Sequence, residues 1–190
     1  MSLIVGILLA AGSSLRFGTD KLLQALPEGD CVAVSACKSL LIGTDHVLAV
    51  VRPGITELEE RLYELGAEVM VFHDAAEGMG SSLGYAVRSS PDDTGGWLIA
   101  LADMPWIKPS TIHKLSDCIR SGAELAAPTY RGQRGHPVGF AKSYRPELSA
   151  IRGDSGAKSL LVDHHERLKL IEVDDWGVLR DIDRLEDLTA

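Results

Sequence analysis

The sequence carries too little positive charge for a protein that binds polyanions along their length. Against 27 Asp and Glu residues there are 19 Lys and Arg residues, so the formal net charge is −8. Binding to a nucleic-acid backbone or an anionic membrane needs a surplus of basic residues. We therefore expect no nucleic acid and no membrane as a partner. A phosphorylated small molecule stays open, because it needs only a few local cations.

Cysteine and histidine are scarce and show no metal-binding spacing. The three cysteines, Cys31, Cys37 and Cys118, are odd in number, which indicates reduced thiols in a cytoplasmic protein. The six His residues form no zinc pattern, so no structural metal is predicted. The apolar run at 3–11 lacks a basic flank and is too short to span a bilayer, so we expect no targeting or membrane segment.

Segments typical of strands and of helices alternate along the chain. Continuous apolar runs predict strands covered on both faces, at 3–11, 46–51, 67–72, 96–102, 123–129, 137–141 and 167–173. Helical patterns lie at 55–65, 81–89, 109–121, 155–165 and 184–188. No repeat, low-complexity tract or linker interrupts them. The alternation predicts an α/β fold with an open, mostly parallel sheet in a single domain.

The loop from Leu9 to Lys21, LAAGSSLRFGTDK, carries the strongest functional signal. Open α/β sheets bind ligands beyond the carboxyl ends of their strands, and this loop follows the first strand. Small residues such as Gly12 and Ser13 let backbone amides approach phosphate oxygens, while Arg16 and Lys21 supply positive charge. The spacing differs from the phosphate loop of ATPases and from a dinucleotide fingerprint. The alternative is a surface turn with two solvated cations.

Two further motifs each allow a functional and a structural interpretation. Asp103, in LADMP at 101–105, stands at the carboxyl end of a buried strand. There it could hold Mg²⁺ against a nucleotide or cap the following helix. RGQRGHPVGF, at 131–140, is either a binding loop or a hairpin that carries a surface histidine, His136.

Two motifs near the C-terminal end allow the same choice. GDSGAKSLL, at 153–161, places Asp154 or Ser155 where either could cap a helix whose N-terminus suits an anion. DIDRLEDL, at 181–188, has two acidic residues at alternate positions before a short helix. It is either part of a charged site or a solvated, capped helix.

In order and spacing, these motifs resemble the MobA-like nucleotidyltransferases, and more narrowly the molybdenum cofactor cytidylyltransferases. The first loop looks like the family signature LAAG-x-S-x-R-x-G-x-x-K. The resemblance continues through EGMGSSLGYAV, LADMP, PTYRGQRGHPVGF, GDSGAKSLL and DIDRLEDL. It implies a Rossmann-like three-layer sandwich with a mostly parallel mixed sheet, and a MobA-like NTP transferase domain over residues 1–190.

The resemblance also implies a reaction and its residues. Such an enzyme joins CMP from CTP to the terminal phosphate of molybdopterin and releases pyrophosphate, with Mg²⁺, or Mn²⁺ in its place, as the metal. The nucleotide-binding positions are Leu9, Ala10, Ala11, Gly12, Ser13, Arg16, Lys21, Asp74, Gly80 and Ser82. The catalytic positions are Arg16, Lys21 and Asp103, and the metal positions are Asp103 with Asp183 or its neighbour Asp181. The acceptor-binding positions are Gly135, His136, Pro137, Asp154, Ser155 and Gly156.

Alternatives remain for the base and for the reaction. Guanylyltransferase relatives tend to carry Gly where this chain has Ala11, and the added methyl group favours a pyrimidine. Met104 and His73–Asp74 depart from the residues usual in cytidylyltransferases, so GTP stays an alternative to CTP. Another small-molecule NTP transferase is a second alternative. A third is a non-catalytic protein that binds the cofactor and delivers it to a molybdoenzyme or its chaperone.

Overall fold

Residues 2–12 and 20–189, the part of the chain that this computed structural model describes, form eight strands and six α-helices, which alternate from β1 to β5. The strands are β1 (Leu3–Ala10), β2 (His46–Val51), β3 (Glu68–Val71), β4 (Thr94–Leu101), β5 (Leu125–Tyr130), β6 (Gln133–Arg134), β7 (Val138–Ala141) and β8 (Leu168–Glu172). The α-helices are α1 (Val32–Gly43), α2 (Thr56–Glu64), α3 (Met79–Ser89), α4 (Pro109–Arg120), α5 (Arg145–Ala150) and α6 (Lys158–Asp163). Short 3-10 helices, among them Lys21–Leu23, Trp176–Leu179 and Leu185–Thr189, lie in the connections.

The strands form one mixed sheet in the order β3-β2-β1-β4-β7-β5-β6, with β8 beside β5. Strand β1 is parallel to β2 and β4, β2 is parallel to β3, and β5 is parallel to β8. Strand β7 is antiparallel to both β4 and β5. The carboxyl ends of β1 to β4 therefore meet at one edge of the sheet, where ligands of such sheets bind.

Strand β1 shows why the predicted strands are continuous apolar runs in the sequence. Its side chains alternate between two cores, because successive residues of a strand point to opposite faces. Ile4 and Leu8 pack with α1, α2 and α4 on one face. Val5 and Ile7 pack with α3, α5 and α6 on the other. Helices thus cover both faces, and the predicted α/β three-layer sandwich with a mostly parallel mixed sheet is confirmed.

Helix α1 is the largest element that the sequence pattern did not reveal. It begins at Val32, inside a segment that was assigned no secondary structure. Its buried residues Ala33, Ala36, Cys37 and Leu40 do follow helical spacing, but most of them are small, so the apolar stripe is weak. Helix α5 and the two-residue strand β6 were also not predicted.

Two helix predictions near the C-terminal end need correction. The helix expected over 155–165 begins only at Lys158, and neither Asp154 nor Ser155 caps it. Gly156, with φ of 51°, has a left-handed backbone conformation, so the helix cannot extend back through it. The helix expected at 184–188 is instead a 3-10 helix over Leu185–Thr189.

Within residues 2–12 and 20–189, no helix combines the length and the apolar character that crossing a membrane requires.

Candidate active site

Two adjoining cavities lie at the carboxyl-end edge of the sheet. The larger, of about 730 Å³, is lined by residues from the ends of β1, β2 and β4 and from the start of α3, including Leu9, Ala11, Gly12, Arg52, Ser82 and Asp103. The smaller, of about 400 Å³, is lined by residues of β7 and of the loops before β7 and α6, including Arg134, His136, Phe140, Asp154, Ser155 and Gly156. Leu9, Met79, Leu101 and Asp154 line both cavities. Two ligands, one in each cavity, would therefore touch the same residues.

Lys21 connects three parts of the chain at the edge of the larger cavity. It is the first residue of the 3-10 helix that ends the long first loop. Its Nζ donates to Oδ2 of Asp103 at 2.8 Å and to the carbonyl oxygen of Ile182 at 2.9 Å. The backbone N–H of Ile182 in turn donates to the carbonyl oxygen of Asp103 at 2.9 Å. These bonds join the C-terminal segment to the end of β4.

This arrangement places the two candidate metal-binding acids of the C-terminal segment near Asp103. Asp183 Oδ1 lies 3.7 Å from Lys21 Nζ. Partial desolvation raises the pKa of Asp181, and the negative charges of Asp183 and Asp103 raise it further. Ile182, between the two acids, is fully buried, which explains their alternate spacing. Lys21 thus lies beside Asp103 and Asp183, and Asp181 is close enough to both acids for their charges to raise its pKa.

Asp103 has an oxygen available for a further ligand. Its Oδ2 is paired with Lys21, whereas its Oδ1 is buried and has no hydrogen-bond partner among the residues described. Asp103 does not cap the following helix, because α4 begins at Pro109 and its N-cap position is Lys108. The alternative interpretation, in which Asp103 caps the following helix, is therefore wrong.

Asp20 anchors the C-terminal end of the first loop. Its Oδ1 accepts from the backbone N–H of Leu22 at 3.2 Å and so caps the 3-10 helix that carries Lys21. Its Oδ2 accepts from Nη2 of Arg52 at 2.9 Å. Arg52 directly follows β2 and lines the larger cavity. The Asp20–Arg52 ion pair consequently fixes the backbone at Lys21 relative to the end of β2.

His136 lies at the edge of the smaller cavity, half-buried between a positive and a negative neighbour. Burial lowers its pKa, and the charge of Arg134 lowers it further, while Asp103 acts in the opposite direction. Its backbone N–H donates to the carbonyl oxygen of Val178 at 2.9 Å. The Nδ1 atom is buried without a hydrogen-bond partner in the described structure. A neutral imidazole in this position can donate to or accept from a ligand.

The structure describes most of the predicted site residues, and most of these lie at the two cavities. Leu9, Ala11, Gly12, Ser82 and Asp103 line the larger cavity. His136, Asp154, Ser155 and Gly156 line the smaller one. Ser13 and Arg16 lie outside the described residues.

Eight predicted positions that the structure describes do not line either cavity. Three of them, Lys21, Asp181 and Asp183, belong to the charged group described above. Ala10 points into the core on the other face of the sheet, and Asp74 is exposed. Pro137 is buried beside His136. Gly80 and Gly135 make backbone contacts instead, since Gly80 N–H donates to the carbonyl oxygen of Gly153 and Gly135 packs against Val178.

Several cavity residues were not among the predicted site residues. Arg52, His73 and Met79 line the larger cavity, and Arg134 and Lys158 line the smaller one. Arg52 could have been found, because it stands directly after an apolar strand, at the edge where ligands bind. Met104, which departs from the usual cytidylyltransferase residue, is buried in the core and lines neither cavity.

Comparison with known proteins identifies the family. The profile of the MobA-like NTP transferase domain matches residues 6–168. The chain belongs to this family. The general part of the functional prediction, a nucleotidyltransferase of the MobA-like type, is thereby confirmed.

Individual relatives carry different names. The chain is 28% identical to the purine catabolism protein PucB of Bacillus subtilis (strain 168), over 97% of this chain and 93% of that protein. It is 27% identical to nicotine blue oxidoreductase of Paenarthrobacter nicotinovorans, over 97% of this chain and 94% of that protein. The crystal structure of Rv0371c from Mycobacterium tuberculosis H37Rv aligns with a TM-score of 0.85 at 25% identity, over 98% of this chain and 95% of that one. The structure of Rv0371c in complex with manganese aligns with a TM-score of 0.82 at 23% identity, over 98% of this chain and 96% of that one.

Proposed function

We propose that this chain transfers CMP from CTP to the terminal phosphate of molybdopterin, with release of pyrophosphate. The observation that carries the proposal is the pair of adjoining cavities with four residues in common. CTP occupies the larger cavity, beside Lys21 and Asp103, and the phosphorylated pterin occupies the smaller one. We further propose that the domain extends over residues 1–190, that molybdopterin is the acceptor and that the protein is cytoplasmic.

The acceptor needs no base to activate it, because a phosphate monoester is already anionic at neutral pH. One of its oxygens forms the new bond to the α-phosphorus of CTP, and the bond from that phosphorus to the pyrophosphate oxygen breaks. The main obstacle is repulsion between the two anions. Lys21 supplies positive charge that is already in place as charge develops on the leaving pyrophosphate. Alignment of the two substrates supplies the remainder of the rate enhancement.

A divalent cation fits beside Asp103. The buried Oδ1 of Asp103, to which no described residue donates a hydrogen bond, is a suitable ligand, and Asp183 Oδ1 lies 3.7 Å from the Lys21 Nζ that Asp103 also binds. Asp181, two positions before Asp183, is the alternative second acid. The described part of the chain contains no group of three or more His, Cys, Asp or Glu residues that could hold a metal without help. Substrate phosphates would complete the coordination, as is usual for Mg²⁺, and the bound cation would offset phosphate charge. Mg²⁺ is the proposed ion and Mn²⁺ the alternative.

The preference for CTP rests on Ala11. Ala11 lines the larger cavity, directly before Gly12, and its methyl group would limit the room for the base there. A pyrimidine needs less room there than a purine. His73, which lines the same cavity, is a second side chain that could contact the base.

The decisive experiment measures pyrophosphate release by the purified chain with molybdopterin, Mg²⁺ and each nucleoside triphosphate in turn. We expect release with CTP to exceed release with GTP and to require the acceptor. A preference for GTP would identify a guanylyltransferase instead. Binding of molybdopterin with no turnover of any triphosphate would identify a delivery protein and refute the transfer reaction.

A further inference from the structure

The N-terminal half of α3 packs closely against the backbone of the segment 151–154. A Cβ atom on Gly80 would lie 2.7 Å from the carbonyl oxygen of Gly153. A Cβ atom on Gly84 would lie 2.8 Å from the carbonyl oxygen of Ile151. Carbon atoms do not approach backbone oxygens so closely. Only glycine at these two positions allows this contact. We call Gly80 and Gly84 the glycine seat.

Two hydrogen bonds hold Gly153 on the seat. The backbone N–H of Gly80 donates to the carbonyl oxygen of Gly153 at 2.6 Å. The backbone N–H of Gly153 donates to Oγ of Ser81 at 3.1 Å. Ser81 is only 1% exposed, so water does not compete for its hydroxyl group. Both polar backbone groups of Gly153 are therefore bound to the start of α3.

The seat stands between the two cavities. Met79 and Ser82, on the same turn of α3, line the larger cavity. The residues that directly follow Gly153 line the smaller cavity, and Asp154 lines both. One short stretch of α3 thus contacts the nucleotide cavity and at the same time holds the wall of the acceptor cavity.

We propose that Gly80, Ser81 and Gly84 are positioning residues that align the acceptor with the nucleotide by fixing Asp154. This inference rests on the function proposed above. The carboxylate of Asp154 would repel phosphates, so it accepts hydrogen bonds from hydroxyl or amino groups of the substrates. With Asp154 held at the junction, the acceptor phosphate is directed to the α-phosphate of the nucleotide.

The test uses Gly84→Ala and Gly80→Ala, with Gly43→Ala as the matched control. Gly43 is also in a helix, and a Cβ there would overlap the side chain of Ile112 where α1 packs against α4, on the opposite face of the sheet. We expect each seat variant to raise the KM for molybdopterin by at least about tenfold, since small misplacements are costly in transfer reactions. The Kd for CTP should stay unchanged in the seat variants. Gly43→Ala should change the thermal stability but should leave both the KM for molybdopterin and the Kd for CTP unchanged.

Ser81→Ala is the milder variant if the alanines on the seat prevent folding. It removes the acceptor of the Gly153 N–H, and we expect a smaller rise in the same KM with no change in CTP binding. An unchanged KM in a folded seat variant, or an equal rise in Gly43→Ala, would overturn the inference.

Amide hydrogen exchange without any substrate separates this inference from the proposed function. Exchange over residues 153–158 should be faster in Ser81→Ala and in the seat variants than in the wild type and in Gly43→Ala. If the wild type turns over no triphosphate, the proposed function fails, and exchange still decides whether the seat holds this loop. Equal exchange in all variants would refute the seat itself.

Discussion

The two sides of the candidate site, the proposed nucleotide side at the larger cavity and the proposed acceptor side at the smaller one, are built in different ways. On the proposed nucleotide side, the candidate residues stand within two positions of the ends of parallel strands: Gly12 after β1, Arg52 after β2 and Asp103 after β4. On the acceptor side, His136 lies between β6 and β7, and Asp154 lies between α5 and α6. Strand register alone brings the first set together. The second set depends on how connections pack against other elements.

Packing on the acceptor side comes from distant segments. His136 bonds to the backbone of Val178, and Gly153 bonds to the start of α3. On the proposed nucleotide side, Lys21 and the C-terminal acids also depend on long-range contacts. Variants on the two sides should therefore differ in which substrate they affect.

The largest effect is expected from Asp103→Ala on the nucleotide side. Loss of the carboxylate should lower kcat by at least about 10²–10³-fold, the scale measured when a charge-stabilising group is removed. Metal-dependent turnover should be lost while the fold stays intact, because Asp103 is only partly buried. Pyrophosphate release and circular dichroism measure the two properties. The control is Asp117→Ala, an exposed acid paired with Arg120. Near wild-type turnover in a folded Asp103→Ala variant would remove the metal role from this residue.

Lys21→Ala should weaken CTP binding by about 10- to 100-fold, which corresponds to the loss of a charge-assisted hydrogen bond. Titration calorimetry with CTP and Mg²⁺ measures the Kd. Lys38→Ala is the control, since Lys38 forms an exposed ion pair with Asp30 far from either cavity. Equal CTP affinity in Lys21→Ala and wild type would contradict the assignment of the first loop to the triphosphate.

Arg134→Ala tests the acceptor side. Arg134 lines the smaller cavity, where its charge can attract a phosphorylated acceptor. We expect the KM for molybdopterin to rise by about tenfold, as for the loss of one ionic contact, with the Kd for CTP unchanged. Arg131→Ala, on the same hairpin but with its guanidinium over the Tyr130 ring, is the control. A parallel loss of CTP affinity in Arg134→Ala would mean that the two cavities are not separate subsites.

The smallest effect concerns the pH dependence of stability. The pKa of His136 in the folded chain is lowered from 6.5, so between the two pKa values the unfolded chain binds more protons. The neutral imidazole therefore contributes stability that is fully present above pH 6.5 and is lost as the pH falls through the lowered pKa. In His136→Gln the free energy of unfolding should decline less steeply on acidification. Urea titrations over this range measure it, and identical slopes would show that the folded environment of His136 does not favour its neutral form.

Much of the nucleotide side could be predicted from the sequence. Its strands are continuous apolar runs, and the residue after each run falls at the ligand-binding edge by geometry alone. Asp103 was found in this way, and the same rule would have found Arg52. On the acceptor side, the motifs around His136 and Asp154 allow a structural as well as a functional interpretation, and only the resemblance to a family favours a binding role.

Several features could not be predicted because they are contacts between distant residues. The N-terminal end of α4 is bound by Asp175, whose Oδ2 accepts from the backbone N–H of Lys108 and from Oγ1 of Thr111, at 2.8 and 2.6 Å. Asp175 lies more than sixty positions along the chain from both partners. Helix α1 could not be predicted for a different reason: its buried side is made mostly of small residues, which give a weak periodic pattern.

The sequence by itself determined the α/β class, the succession of the principal strands along the chain and the placement of small and charged residues at the strand ends. Periodicity and turn chemistry act over a few residues, so they can be read along the chain. Only the tertiary structure decided that Lys21 bonds to Asp103 and to the carbonyl oxygen of Ile182, 161 positions away. It also decided that two glycines of α3 hold the loop of Asp154 between the cavities, because close backbone approach depends on the shapes of both partners.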